Sequence, residues 1–185
     1  PSFLIDVPQY NRPDAKAYVT EQLKELIAML EDTFHQKFQE EELVPILQRE
    51  NASKACYERC LKNLRTHHYP STLTMQMYML FASHMNIGTP EILHFYQQME
   101  AETAAAPEFH GTNILWVHLL PYYQETLKEY FNLTDDYQIQ AIEMNLDYRA
   151  PLDTEHPLEA LADKMIHNVY NGPYERKAAL VSELA

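Results

Sequence analysis

Two cysteines and two histidines form the cluster in this sequence that most resembles a metal site. Cys56 and Cys60 are four residues apart, which places them on one face of a helix, and His67 and His68 follow soon after. Thiolate and imidazole groups together are typical ligands of zinc. A Cx3C pair without a second well-spaced pair is a weak signal, and cysteine is among the most buried residue types. We therefore expect both cysteines to pack in a core.

Other patterns that carry enzyme chemistry are missing from the sequence. The remaining seven histidines are dispersed without an HExxH pair, and no serine lies in a nucleophile elbow. The three glycines, Gly88, Gly111 and Gly172, are too far apart to form a phosphate-binding loop. P-loop NTPases and complete dinucleotide-binding domains are therefore excluded. Four methionines at 75, 77, 79 and 85 are typical of adaptable core, with a docking face as the alternative.

The elements that must position any site are mainly helices in residues 1–106. Apolar residues recur at intervals of three and four from Asp14 onwards, which predicts an amphipathic helix. Further helices are predicted over about 41–65, about 72–85, and from Pro90 to about Ala105. Gly88, Thr89 and Pro90 suit a C-terminal left-handed residue, an N-cap and a first helical position. We interpret this part of the chain as a helical region.

The pattern changes in residues 107–185. The apolar run 114–120 lies between Gly111 and Pro121 and is typical of a strand buried on both faces of a parallel sheet. A short helix through Leu127 and Phe131 and a weaker strand over 139–144 are predicted next, then helices after Pro157 and Pro173. The predicted fold class is therefore α/β and predominantly helical. A helical layer precedes part of a Rossmann-like parallel unit.

Polar and aromatic residues follow both predicted strands. His118, Tyr122 and Tyr123 come after the first strand, and Tyr148 and Arg149 come after the second. Ligands of open α/β sheets bind outside the carboxyl ends of the strands. Aromatic faces, a fixed cation and hydrogen-bond donors would suit an anionic or thioester ligand. In the alternative interpretation, the tyrosines pack against a helix start and Arg149 pairs with Asp153.

Charge and cysteine content limit the partners. The formal net charge is −13, and the basic residues are not clustered, so neither nucleic acid nor an anionic membrane is an expected partner. No apolar run approaches the roughly 20 residues of a spanning helix. Two cysteines do not make a disulfide framework, which favours the cytoplasm. Because the sequence opens on Pro1 and stops at Ala185 inside a helical pattern, we expect a piece of a longer protein.

Several segments carry a resemblance to a known family. They are 113–123, 151–153 with 156–162, and 171–177, and the residues Asp6-Val7-Pro8 and Asn51 are compatible with it. Together they resemble the middle of the 2-hydroxyacyl-CoA dehydratase and benzoyl-CoA reductase subunits, in particular the long relatives associated with the CoA-enzyme activase. The resemblance implies an iron-sulfur lyase. Such an enzyme receives an ATP-driven electron and removes water from a 2-hydroxyacyl-CoA through a ketyl radical.

The resemblance also limits what this chain does alone. The family binds its [4Fe-4S] cluster through cysteines outside the matched region, and Cys56 and Cys60 do not coincide with them. We therefore assign neither a metal ligand nor a catalytic residue, and expect the chain alone to be inactive. The implied partners are the remaining domains of the parent protein, an acyl-CoA and an ATP-dependent activator. The competing interpretations are an acidic helical interaction or regulatory module, and a small-molecule sensor that uses the strand-end crevice.

Overall fold

The computed structural model describes residues 2–9 and 12–185. The helices in this part of the chain are α1 (Ala15–Phe34), α2 (Leu43–Asn63), α3 (Leu73–Asn86), α4 (Pro90–Ala105), α5 (Pro157–His167) and α6 (Tyr174–Leu184). The strands are β1 (Thr112–Trp116) and β2 (Tyr137–Ile142). The prediction of a predominantly helical α/β fold is confirmed. No helix among the described residues is both long enough and apolar enough to cross a bilayer.

Local capping signals determine where α3 and α4 begin. The hydroxyl of Thr72 accepts a hydrogen bond from the backbone N–H of Met75, and the hydroxyl of Thr89 accepts one from Ile92. Pro90 occupies the first turn of α4, where its missing N–H is not required. Gly88 has φ +91° and adopts the left-handed conformation between the two helices. The predicted helix boundary at Gly88-Thr89-Pro90 is therefore confirmed.

The two strands form a parallel pair. Thr112 lies opposite Tyr137 and Trp116 lies opposite Ile142, with a register shift after Ile114. The buried side chain of Gln138 connects this sheet to the chain that follows α2. Its Nε2 lies 2.8 Å from the carbonyl oxygen of Leu64 and 2.7 Å from Oδ1 of Asn113. A polar residue in a buried strand is tolerated here because its amide is hydrogen-bonded.

Two details of the α/β prediction were wrong. The first strand ends at Trp116, although the apolar run continues to Leu120, and its residues are half-buried or exposed rather than buried on both faces. The second strand, for which the sequence signal was weaker, does form at Tyr137–Ile142 and is the more buried of the two. Residues 117–136, all of which the structure describes, contain a 3₁₀ turn at Glu125–Leu127 instead of the predicted α-helix.

Tertiary contacts explain why that α-helix does not form. Asn132 makes an antiparallel bridge with Thr72, and the N–H of Leu133 donates to the carbonyl oxygen of Ser71. Leu133 has φ +58°, which is not a helical conformation. An isolated helix of this length is marginal, because nucleation costs more than a few hydrogen bonds return. Pairing with the chain before α3 is therefore the more favourable arrangement.

The chain divides into two compact units. One contains Pro1–Gln48 and Asp147–Leu180, and the other contains Arg49–Leu146 and Val181–Ala185. In the first unit, Ala15 and Val19 of α1 pack with Ala162 and Ile166 of α5. The core of the second unit includes residues from α3, from both strands and from the chain between the strands; the buried members are Leu73, Leu120, Ile139 and Ile142. The division at about residue 106 into a helical region and an α/β region stays a prediction, because a division by type of secondary structure is a different thing from a division into compact units.

Candidate ligand-binding site at the carboxyl ends of the strands

A hydrogen bond joins the segments that leave the two strands. The backbone N–H of His118 donates to Oε1 of Glu143 at 2.7 Å. His118 has φ +75°, a conformation that costs a residue with a Cβ roughly 1–2 kcal/mol. Glu143, the first residue after β2, is completely buried. Because a carboxyl oxygen is a good acceptor for an N–H, this hydrogen bond offsets part of the strain at His118.

The loop after β1 is anchored at two further points. The indole Nε1 of Trp116 donates to the carbonyl oxygen of Leu119 at 3.2 Å, and Leu120 is buried in the core of its unit. Between these anchors, Val117 is 47% exposed and Leu119 is 58% exposed. The loop thus holds apolar side chains at the surface on a well-fixed backbone.

Tyr122 and Tyr123 present their rings to solvent at this end of the sheet. They are 83% and 89% exposed, with ring centroids 5.7 Å apart and planes inclined at 81°. An edge-to-face pair of this kind is mutually attractive. Such exposure contradicts the alternative in which these rings only pack against a helix start. Among the candidate residues, His118, Tyr122 and Tyr123 therefore share one anchored loop.

Tyr148 and Arg149 belong to the other compact unit. Tyr148 is half-buried and packs against the cluster formed by Leu47, Leu152 and Ala160. Arg149 is also half-buried. Asp153, which the sequence offered as a partner for Arg149, lies 2.9 Å from Nδ1 of His156. This contact lowers the pKa of Asp153 and raises the pKa of His156.

Sequence reasoning missed Glu143 as a member of the site. In the sequence it is one of the alternating polar residues that weaken the second predicted strand. The available signal was its position directly after the run Ile139–Ile142, where the chain leaves the buried strand. A carboxylate at that point is either solvated or required to accept hydrogen bonds. The structure shows that Glu143 accepts one from the loop that carries the tyrosines.

The cysteines do not fit a [4Fe-4S] cluster. Such a cluster is held by four thiolates, and the sequence contains two cysteines. Both are buried in α2, and burial raises the pKa of the Cys56 thiol and raises that of Cys60 to about 11. Nη2 of Arg59 lies 3.3 Å from Sγ of Cys56. Within the described residues, no group of three or more His, Cys, Asp or Glu side chains is arranged to hold a metal ion.

Comparisons with known proteins identify one relationship. A family model described as "2-hydroxyglutaryl-CoA dehydratase, D-component" matches residues 1–185. No curated protein and no solved structure matches the chain. The family match covers both compact units and the loop that carries His118, Tyr122 and Tyr123.

Proposed function

Because this chain belongs to the 2-hydroxyglutaryl-CoA dehydratase D-component family, we propose that it supplies scaffold and acyl-CoA contacts to a dehydratase of 2-hydroxyacyl-CoA esters. The observation that carries the proposal, beside the family match, is the anchored loop after β1. Tyr122 and Tyr123 lie at the surface there, and the same loop is hydrogen-bonded to Glu143 through the N–H of His118. Tyrosine rings supply a large contact area at a low cost in conformational entropy, because they have few rotatable bonds.

The candidate residues divide by the part of an acyl-CoA that each would contact. The rings of Tyr122 and Tyr123 suit stacking on the adenine base or packing against the pantetheine chain. The guanidinium of Arg149 suits a phosphate, to which it can donate two parallel hydrogen bonds. On the loop after β1, the imidazole of His118 suits the thioester carbonyl as a hydrogen-bond donor. Tyr148 and Arg149 belong to the other compact unit, where the hydroxyl of Tyr148 also suits a carbonyl, and their contacts with an acyl-CoA are a separate proposal.

In this proposal the redox chemistry lies outside this chain. The two buried cysteines cannot supply the four thiolates of a [4Fe-4S] cluster, so that group and its electron belong to other parts of the dehydratase. An ATP-dependent activator would deliver the electron. The family description names a component, which supports action in a complex. We propose that the chain is part of a longer cytoplasmic protein and that it is inactive by itself as a lyase.

Binding of an acyl-CoA tests the proposal directly. Trp116 is the only tryptophan in the sequence, and its indole contacts the loop after β1, so its fluorescence reports on a ligand there. We expect saturable quenching by a 2-hydroxyacyl-CoA and none by the free 2-hydroxy acid. Replacing both Tyr122 and Tyr123 by Ala should weaken binding at least tenfold, about 1.4 kcal/mol.

Matched variants separate specific contacts from general effects. Arg149→Ala should weaken binding, measured by calorimetry, while Arg12→Ala removes one exposed cation and should not. Tyr174→Ala removes a ring that is 78% exposed and serves as the control for the tyrosines. Absence of binding by the folded wild-type chain, or equal losses in the controls, would reject the acyl-CoA contacts. The iron content of the isolated chain should stay at background after anaerobic reconstitution with iron and sulfide.

An interaction module is the second candidate function. Its support is the outer face of α3, where large apolar side chains are exposed: Met75 by 50%, Tyr78 by 68%, Phe81 by 54% and Met85 by 80%. The interpretation of these methionines as core holds for Met77, which packs against the sheet cluster, and was wrong for Met75 and Met85. Apolar faces of this kind mark interaction sites. A stable chain that binds no CoA ester would favour this function.

A further inference from the structure

A groove between α3 and α4 encloses about 400 Å³. Its walls are almost entirely apolar. The residues that matter most for its shape are Met75, Tyr78, Met79 and Ala82 on α3, and Phe95 and Met99 on α4. A volume of this order is in the range of pockets that bind small organic molecules, roughly 300–1,000 Å³. The groove lies wholly within the second compact unit.

The groove follows from two apolar stripes that the helices turn towards the same space. On α3 the spacing from Met75 is three, four and seven residues, which is one face of a helix. The other side of α3 is used by the core, where Leu73 is 2% exposed and Leu80 is 4% exposed. Ala82 contributes one methyl group where a larger side chain would fill the space. The groove therefore lies against buried core residues on one side and is open to solvent on the other.

The exposed walls would gain free energy from an apolar occupant. Met75, Tyr78 and Phe95 are 50%, 68% and 40% exposed. Removal of apolar surface from water contributes roughly 25 cal/mol per Å². Flexible methionine side chains adapt to ligands of differing shape, and their sulfur atoms make favourable contacts with aromatic rings. An aromatic or aliphatic molecule therefore suits this groove.

The charge of the groove selects among such molecules. Glu91, in the first turn of α4, is the charged member of the described lining, which contains neither Lys nor Arg. The other polar lining includes Gln76, whose Nε2 donates to Oγ of Ser71 at 2.9 Å. An anionic ligand would have to leave water for the apolar walls and would lie near the exposed carboxylate of Glu91, with no Lys or Arg in the described lining to pair with it. The lining therefore disfavours carboxylates, sulfonates and phosphates.

We propose that the α3/α4 groove is a binding site for a neutral apolar molecule about as large as a two- or three-ring aromatic compound. The site is independent of the acyl-CoA contacts, because the phosphates of CoA carry the charge that this groove disfavours. It would give the chain a second ligand besides the CoA ester. The charge preference distinguishes it from unspecific apolar binding, which accepts anionic dyes as readily as neutral ones.

A pair of dyes that differ by one charged group tests the proposal. N-phenyl-1-naphthylamine is neutral, and 1-anilinonaphthalene-8-sulfonate has the same ring system with a sulfonate. We expect one saturable site for the neutral dye on the full chain, with the sulfonate at least about tenfold weaker. Glu91→Lys should reduce this preference. Equal affinity for the two dyes, or no saturable binding of the neutral dye, would overturn the proposal.

Variants locate the site. Ala82→Phe fills the groove and should lower the affinity for the neutral dye at least about tenfold, with an unchanged circular dichroism spectrum. Met75→Glu changes an exposed wall residue without burying a charge, so it tests the groove even where Ala82→Phe does not fold. Phe34→Ala removes an exposed ring from the first unit and should leave binding unchanged. Binding that survives both groove variants would overturn the proposal, as would a dimer that Met75→Glu dissociates, since a second copy would then occupy the groove.

Discussion

The backbone N–H of His118 donates a 2.7 Å hydrogen bond to Oε1 of the buried Glu143. The two residues are 25 positions apart and follow two different strands, so this bond ties together the segments that leave the carboxyl end of the parallel pair. His118 adopts a strained, left-handed conformation there. Strained residues persist where the surrounding structure holds them, and they concentrate at functional sites. The loop that carries Tyr122 and Tyr123 is thus hydrogen-bonded to a carboxyl group outside it.

Replacement of Glu143 should loosen that loop. Glu143→Ala removes the acceptor and leaves the N–H of His118 without its hydrogen bond, which should lower the free energy of unfolding by about 1–3 kcal/mol. Glu143→Gln keeps an acceptor oxygen on a side chain of the same shape and should lower the free energy of unfolding by less. Urea denaturation followed by Trp116 fluorescence measures both effects. Equal stability of the wild-type and Ala variants would show that the bond does not hold the loop.

Substitution of Gly111 should disturb the start of the sheet. A Cβ at this position would lie 2.5 Å from the carbonyl oxygen of Asp136 and 2.6 Å from that of Asp135. The first of these oxygens also accepts a hydrogen bond from the N–H of Thr112. Because the backbone has to shift, we expect Gly111→Ala to cost about 1–3 kcal/mol by thermal or urea unfolding.

Gly88→Ala is the comparison that separates an effect on the sheet from destabilisation in general. Gly88 needs its left-handed conformation, so an alanine there should cost roughly 1–2 kcal/mol through backbone strain, at the turn between α3 and α4. The two variants differ in where they act. Gly111→Ala should also alter the emission of Trp116 in the native state, whereas Gly88→Ala should not. Unchanged emission together with unchanged stability in Gly111→Ala would contradict the close approach at this position.

Signals that lie within a few residues of one another predicted the helical part of the fold well. The capping sequence at Gly88-Thr89-Pro90 and the apolar period of α1 each determine local structure by themselves. The extent of β1 was not predictable in this way, because the run to Leu120 is equally apolar after Trp116 and only pairing with β2 limits the strand. The absent helix after Pro121 has the same cause, namely pairing between Asn132 and Thr72.

The candidate site was predictable in part. Position alone marks the residues after the two strands, and the structure shows Tyr122 and Tyr123 exposed on an anchored loop. The role of Glu143 depends on a partner 25 residues away, for which no local pattern exists. The exposure of Met75 and Met85 was missed for a related reason. Periodicity marks which residues share a helix face, and tertiary packing decides which face is covered.

The cysteines should react slowly with thiol reagents in the folded chain. Cys56 is 5% exposed and Cys60 is fully buried, and burial raises the pKa of both thiols. The reactive species is the thiolate, so both burial and the raised pKa oppose reaction. With a chromogenic disulfide reagent at pH 8, we expect the coloured thiol product to be released slowly from the folded chain and faster in urea. Ser182→Cys places a thiol at an exposed position and should react promptly; rapid reaction of the wild-type chain would contradict the core assignment.

Stability should fall at alkaline pH. Burial raises the pKa of Tyr96 to about 12 and that of Cys60 to about 11, and the folded chain therefore keeps these protons when the unfolded chain has lost them. A group with a raised pKa in the folded state stabilises fully below its unfolded pKa, and this stabilisation is lost as the pH rises to the folded value. For Tyr96 the window runs from about pH 10 to 12, with a slope of about 1.4 kcal/mol per pH unit for one proton.

Urea unfolding at several pH values between 8 and 12 measures this effect. Tyr96→Phe removes the titrating hydroxyl. It should reduce the slope of the free energy of unfolding against pH above pH 10 by the contribution of about one proton, roughly 1.4 kcal/mol per pH unit. Cys60→Ala should flatten it between about pH 9 and 11, because the thiol titrates first. A decline of equal slope in the wild-type, Tyr96→Phe and Cys60→Ala chains would show that alkaline unfolding arises elsewhere.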